Sequence, residues 1–277
     1  MAEEPRKNPG DRLGDRYTII NWIGKGGQGE VYRALDTHLQ QDVAIKVLGG
    51  ELSRSLGDSA RLEQEGKLLA SFNHPMIVRV VDLFNHEGSV HLVSEYIPGR
   101  TLPIPRDGLP LNEFCRQAAD IADAVAYAHS KNVVHRDLKP NNIILTDSLN
   151  IKILDFGLAK ILSDTSPTGG VARTQITVPG TVVLGTKPYC APEQARPGAE
   201  VGTPADVFSL GVLFYEMLAG QKPPSGSGEP LKEAIRKAES TSPTSFSSRN
   251  VPRLFMSLIL SCLVSSFARR EPVDFAG

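Results

Sequence analysis

The chain has 277 residues, 40% of them hydrophobic and 22% charged, with a formal net charge of −1. That balance suits a globular protein with a sizeable core, and it excludes the strongly basic character of a nucleic-acid binder. Three widely spaced cysteines, Cys115, Cys190 and Cys262, argue against a disulfide framework or structural zinc and for a reducing, cytoplasmic setting.

Residues 1–14 are polar, without the apolar run of a signal peptide, and read as a disordered lead-in. From Tyr17 to Tyr96, short apolar or alternating runs are broken by glycine and polar turns. Tyr17 to Ile20, Glu30 to Ala34, Asp42 to Leu48, Val78 to Phe84 and Val90 to Ser94 read as strands. One amphipathic segment, about Ser59 to Phe72, reads as a helix. Strands with a single helix imply an antiparallel sheet carrying that helix, a small lobe over 15–97.

After Pro98-Gly99 the character changes. Pro103, Pro105 and Pro110 break the chain, and helical spacing follows over Leu111 to Ser130, Pro204 to Ala219 and Val251 to Phe267. The stretch Leu254 to Phe267 is too short and too rich in serine to cross a bilayer, so no membrane segment is expected. Ser163 to Gly180 is crowded with threonine, proline and glycine and reads as mobile, as does the connector Pro223 to Pro230. The second lobe, 98–277, is therefore larger and mainly helical.

Three motifs carry chemistry. Gly24-Lys25-Gly26-Gly27-Gln28-Gly29-Glu30-Val31 has a glycine spacing shared with dinucleotide-binding turns. A helix would follow in that case; here Val31 and Tyr32 continue as a strand, which favours a hairpin that lets backbone approach phosphate. Val43-Ala44-Ile45-Lys46 puts a lysine on the third strand. His135-Arg136-Asp137-Leu138-Lys139-Pro140-Asn141-Asn142, followed by Asp155-Phe156-Gly157, brings together a candidate base and two oxygen ligands. Phosphoryl transfer needs that combination: a carboxylate facing the attacking hydroxyl, and ligands for the cation that neutralises the phosphates.

On these residues the chain resembles the eukaryotic-like serine/threonine protein kinases also found in bacteria, from about Leu13 to Arg270. The resemblance implies an α+β bilobal fold: a small antiparallel lobe with one main helix and a larger, mainly helical lobe. ATP would lie against Ile23, Gly24, Gly26, Gly29, Val31, Ala44 and Ile144, with Glu95 and Ile97 holding the adenine through their backbone and the small Ser94 leaving space behind it. Lys46 would meet the phosphates, oriented by Glu65, with Glu63 as the rival on the same expected helix. Asp137 would receive the substrate hydroxyl, Lys139 would face the transferring phosphoryl, and Asn142 with Asp155 would hold Mg2+, with Mn2+ as an alternative.

Further along, the resemblance makes Thr186 a mark of the serine/threonine class, pairs Glu193 of Ala191-Pro192-Glu193 with Arg270, and anchors the catalytic loop on Asp206. Thr181, with Thr177 as runner-up, would be phosphorylated between two copies of the protein and bridge Arg136, Lys160 and Arg61. Phe267 stands where the family has proline, and little follows Arg270, so the large lobe reads as shortened at its end. The implied activity is ATP-dependent phosphorylation of serine and threonine in protein partners. A nucleotide-binding scaffold without transfer activity is a rival from another class, opposed by the presence of Lys46, Asp137, Asn142 and Asp155 together. A small-molecule kinase is a third reading, opposed by the peptide platform implied from Gly185 to Glu193.

Overall fold

The computed structural model describes residues 6–26, 29–48, 70–156, 188–195, 199, 201–224, 231, 233–235, 237 and 253–268. It divides into two compact units, Met1–Pro98 and Gly99–Gly277.

The first unit is a six-stranded antiparallel sheet. Its strands are β1 (Arg12–Leu13), β2 (Tyr17–Gly26), β3 (Gly29–Asp36), β4 (Gln41–Leu48), β5 (Val80–His86) and β6 (Ser89–Glu95), in the order β1-β2-β3-β4-β6-β5. Period-two alternation decides which face is dry. Leu13, Tyr17, Ile19, Tyr32, Ala34, Val43, Ile45 and Val93 form one buried cluster. The register pairs Val31 with Lys46 and Arg33 with Ala44, so these four residues share the opposite face. β4 then pairs with β6, Ala44 opposite Ser94 and Lys46 opposite Leu92.

Residues 6–14, expected as a disordered lead-in, are instead fastened to this sheet. Leu13 is fully buried, and the Gly10 and Ile19 amides bond to Ile19 and Asp11 carbonyls, both at 2.8 Å. Lys7 N donates to the Tyr32 hydroxyl at 3.2 Å, and the Arg6 guanidinium lies 4.3 Å from the Trp22 ring centroid. One apolar side chain and a few polar contacts hold the segment, too little pattern for composition to reveal. The last expected strand pair also shifts: β5 begins at Val80 rather than Val78, and a register irregularity follows between Val80 and Asp82.

Charge ties the far end of the sheet together. Arg16 donates from Nη2 to Asp36 at 2.7 Å and reaches Asp82 at 3.4 Å, while the Tyr17 hydroxyl donates to Asp82 at 2.9 Å. The Asp36 side chain is fully buried and also accepts the His38 and Leu39 amides. The Arg16 guanidinium, more than these amides, holds its carboxyl below the usual range. The expected helix around 59–72 falls almost wholly outside the described residues.

The second unit opens with a small antiparallel sheet, β7 (Gly99–Thr101), β8 (Ile143–Thr146) and β9 (Ile151–Ile153). Its long helices among the described residues are α1 (Leu111–Ser130), α2 (Thr203–Ala219) and α3 (Arg253–Ala268). α1 buries one stripe through Phe114, Ile121, Val125 and Ala128. α2 is buried almost all round from Ala205 to Ala219, and so becomes the pillar of this unit. Phe114 meets Phe214 and Phe255 edge to face, centroids 5.9 and 5.8 Å away, which joins α1 to α2 and α3. α2 stops at Gly220, whose φ of 71° suits a residue without a Cβ; one built there would lie 2.0 Å from the Arg106 carbonyl oxygen. Among the described residues no helix is long and apolar enough to cross a membrane.

Candidate active site

The loop from His135 to Asn142 connects α1 to β8 and hangs from a single carboxylate on α2. Asp206 is completely buried in the first turn of that helix. Its two oxygens accept the His135 amide at 2.8 Å, the Arg136 amide at 2.7 Å and His129 Nε2 at 2.8 Å. Three donors satisfy a buried charge that would otherwise be expensive to desolvate. Where these two backbone bonds form, the chain makes an abrupt turn: Arg136 has φ of 67°, an uncommon value for any residue other than glycine. Gln194, in the short 3-10 turn Pro192–Ala195, secures the same residue by donating to the Arg136 carbonyl at 2.7 Å.

His135 is the second fixture. Its Nε2 donates to the Leu154 carbonyl at 2.8 Å, and its Nδ1 accepts the Asp137 amide at 3.2 Å. One nitrogen donating and one accepting describes the neutral imidazole. Its ring meets Phe156 edge to face at 4.7 Å, so the segments around Asp137 and Asp155 share one support. Leu138 is fully buried and pins the loop from below.

Asp137 is thereby presented rather than buried. Its Oδ2 accepts Lys139 Nζ at 2.6 Å and Asn142 Nδ2 at 3.0 Å, and its own carbonyl accepts Asn142 Nδ2 at 2.7 Å. An amide whose nitrogen is committed in this way turns its oxygen elsewhere, so Asn142 keeps an oxygen available as a ligand. The Asn142 carbonyl in turn accepts the Leu154 amide at 2.9 Å, which fixes the residue before Asp155. Asp155 itself has φ of 62°, and sites that aim a functional side chain often hold such strain. A carboxylate steadied by an ammonium, an amide oxygen and a second carboxylate can orient a hydroxyl and bind a hard cation.

The remaining expected residues fall into three groups. In the first unit, Val31, Ala44 and Lys46 share one sheet face, Gly24, Gly26 and Gly29 flank the β2–β3 turn, and Ile23 is 46% exposed. Glu95 ends β6, its amide donating to the Arg79 carbonyl and its carboxylate accepting the Arg79 amide, both at 3.0 Å; Ile97 lies two residues beyond. In the second unit, Ile144 lies on the face of β8 opposite the buried Ile143 and Leu145, and Glu193 is buried beside Gln194. Glu65, Arg61, Lys160, Thr177, Thr181, Thr186 and Arg270 lie outside the described residues, as does the rival Glu63.

Neither motif nor periodicity marks His129, Gln194 or the pair Tyr189–Glu216. The Tyr189 hydroxyl donates to Glu216, Lys222 Nζ lies 5.4 Å from its ring centroid, and its carbonyl accepts Ser209 Oγ at 2.7 Å. Burial, together with the neighbouring carboxylate, raises the Tyr189 hydroxyl far above its ordinary range. A glutamate well inside an apolar helix was the one available signal of that pair.

Comparison with known proteins agrees with this geometry. The family described as the protein kinase domain matches residues 17–273. Serine/threonine-protein kinase PknB of Mycobacterium leprae is 37% identical over 218 residues, covering 76% of this chain and 33% of the relative. Serine/threonine-protein kinase PrkC of Bacillus subtilis is 33% identical over 271 residues, covering 96% of this chain and 40% of the relative. The chain thus spans about two fifths or less of these curated relatives. The crystal structure of a mutant form of the Mycobacterium tuberculosis PknI kinase domain superposes with a TM-score of 0.58 at 25% identity, covering 80% of each chain.

Proposed function

Because the chain belongs to the protein kinase domain family, whose members use ATP and a divalent metal ion, we propose that it phosphorylates serine and threonine hydroxyls of proteins. The observation that carries the reading is the posture of Asp137, held by Lys139 and Asn142 in a loop suspended from Asp206. The relatives' names supply the serine/threonine class.

In the reaction the substrate hydroxyl oxygen bonds to the γ-phosphorus of ATP as the bond to the β–γ bridging oxygen breaks, and ADP leaves. Asp137 orients that hydroxyl and takes up its proton; Lys139 turns its ammonium toward the transferring phosphoryl. Lys46 holds the α- and β-phosphates, with Glu65 as its partner. Asn142 through its amide oxygen and Asp155 through its carboxylate would hold the metal, which we take as Mg2+ with Mn2+ as an alternative; when bound it neutralises charge on the phosphates. The Glu95 and Ile97 backbone groups take the adenine, and Ile23, Val31, Ala44 and Ile144 supply its apolar surroundings.

Transfer of labelled γ-phosphate to a generic protein substrate tests this. Lys46→Met should reduce incorporation by about 10²-fold or more, since misplaced phosphates forfeit the advantage of alignment. Equal incorporation by both proteins would remove the reading.

Regulation follows from charge. Arg136, Lys160 and Arg61 repel one another until a phosphate on Thr181, carrying roughly −2 charge, bridges them. We place the phosphorylating event between two copies of the chain, in the cytoplasm, with no nucleic-acid partner. Thr181→Ala should lower activity about tenfold or more by the loss of these charge-assisted bonds, and Arg61→Ala should reproduce part of that. Mass spectrometry finding Thr181 and Thr177 both unmodified in fully active protein would exclude this control.

A further inference from the structure

One cation on the Ala44 face belongs to none of the roles above. Arg33 stands opposite Ala44 in the β3–β4 register, two residues along from Val31. Its Nε donates to Asp42 Oδ2 at 2.8 Å, and Nη2 reaches the same oxygen. Its guanidinium carbon lies 4.6 Å from the centroid of the Tyr96 ring. Tyr96 sits between Glu95 and Ile97, the two residues whose backbone is assigned to the adenine. On its other side Glu95 is locked to the Arg79 backbone through both its amide and its carboxylate. The segment is therefore gripped twice: by the approach to β5 at Glu95, and by Arg33 over the intervening ring.

We propose that Arg33, aimed by Asp42, positions this segment through Tyr96 and thereby sets affinity for the adenine end of the nucleotide. The inference rests on the kinase reading. Arg33 and Asp42 side chains are 37% and 32% exposed, and an ion pair that accessible contributes little to folding. Its value is therefore local. A guanidinium over an aromatic face restricts the ring, and the ring restricts the peptide groups on either side of it. Lysine would keep the positive charge but lose the planar fork that lets one side chain serve Asp42 and Tyr96 together.

The experiment compares the unaltered chain with Arg33→Ala, Arg33→Lys, Tyr96→Ala and the Arg33→Ala/Tyr96→Ala double variant. KM for ATP and kcat are measured, with calorimetric binding of ATP and of adenosine, which carries no phosphate. Arg33→Ala should weaken both ligands by the same factor, about three- to tenfold, with kcat at saturating ATP within about twofold. Arg33→Lys should fall between, and the double variant should be no worse than Tyr96→Ala. Melting temperatures should stay within about 2 °C, as for other exposed pairs. Weakening of ATP alone would mean that Arg33 acts as a charge toward phosphate, and would overturn the inference. Unchanged affinity, or additive losses in the double variant, would do the same. If the unaltered chain binds neither ligand, the kinase reading itself fails and this inference falls with it.

Discussion

Replacing Asp137 by alanine should cut kcat by about 10²- to 10⁴-fold while ATP affinity stays near its original value. Among the described residues the side chain bonds to Lys139 and Asn142, both in the second unit. What would disappear is the acceptor proposed for the hydroxyl proton and the anchor of two neighbours, since Lys139 and Asn142 both bond to Oδ2. Asp137→Asn separates the two losses. The amide preserves the shape and one oxygen, yet it is far less basic and meets the Lys139 ammonium without a charge. It should therefore recover little of the rate. Steady-state kinetics beside nucleotide binding decide the matter: near-normal turnover with unaltered binding would reassign the loop.

The second large effect is expected at Asp206, which touches no reacting atom. Alanine there would leave the amides of His135 and Arg136 and His129 Nε2 without their buried acceptor. Leaving a buried donor without its acceptor costs about 1 to 3 kcal/mol apiece, so the melting temperature should drop clearly. Turnover should drop as well, because the sharp turn at Arg136 would lose the bonds that hold it. Asp206→Asn offers one oxygen and one amino group where donors already point inward. It should regain part of the stability and little of the activity. A variant that melts early but turns over normally would show that Asp206 supports the fold without aligning the loop.

The parts visible from sequence are those with enough repeating pattern. Val43, Ile45 and Val47 recur at every second position of Gln41–Leu48, and Leu111–Ser130 repeats its apolar stripe over twenty, so both stand out. β7 and β9 have three residues each, too few to display any period, so the small sheet they form with β8 is not legible in the chain. β1 escapes because Leu13 alone carries its burial. Within the site, residue types and spacing point to Asp137, Asn142 and Asp155, since the chemistry restricts what can stand there. Spacing says nothing of how they are held. That His135 serves Leu154 and Asp137 at once, or that Gln194 reaches back to Arg136, depends on chain paths that no local pattern encodes.

The bond from the His135 amide to Asp206 spans 71 positions of the chain. Along the direction of protein synthesis, that separation is a delay. At about 5 to 20 residues per second, the ribosome makes Asp206 roughly 4 to 14 s after His135. Through that interval a nascent chain already carries its glycine-rich hairpin and Lys46, while the loop bearing Asp137 still lacks the carboxylate that accepts its two amides. On the proposed reading, the loop that would carry the transfer is fixed well after the sheet that would face the phosphates.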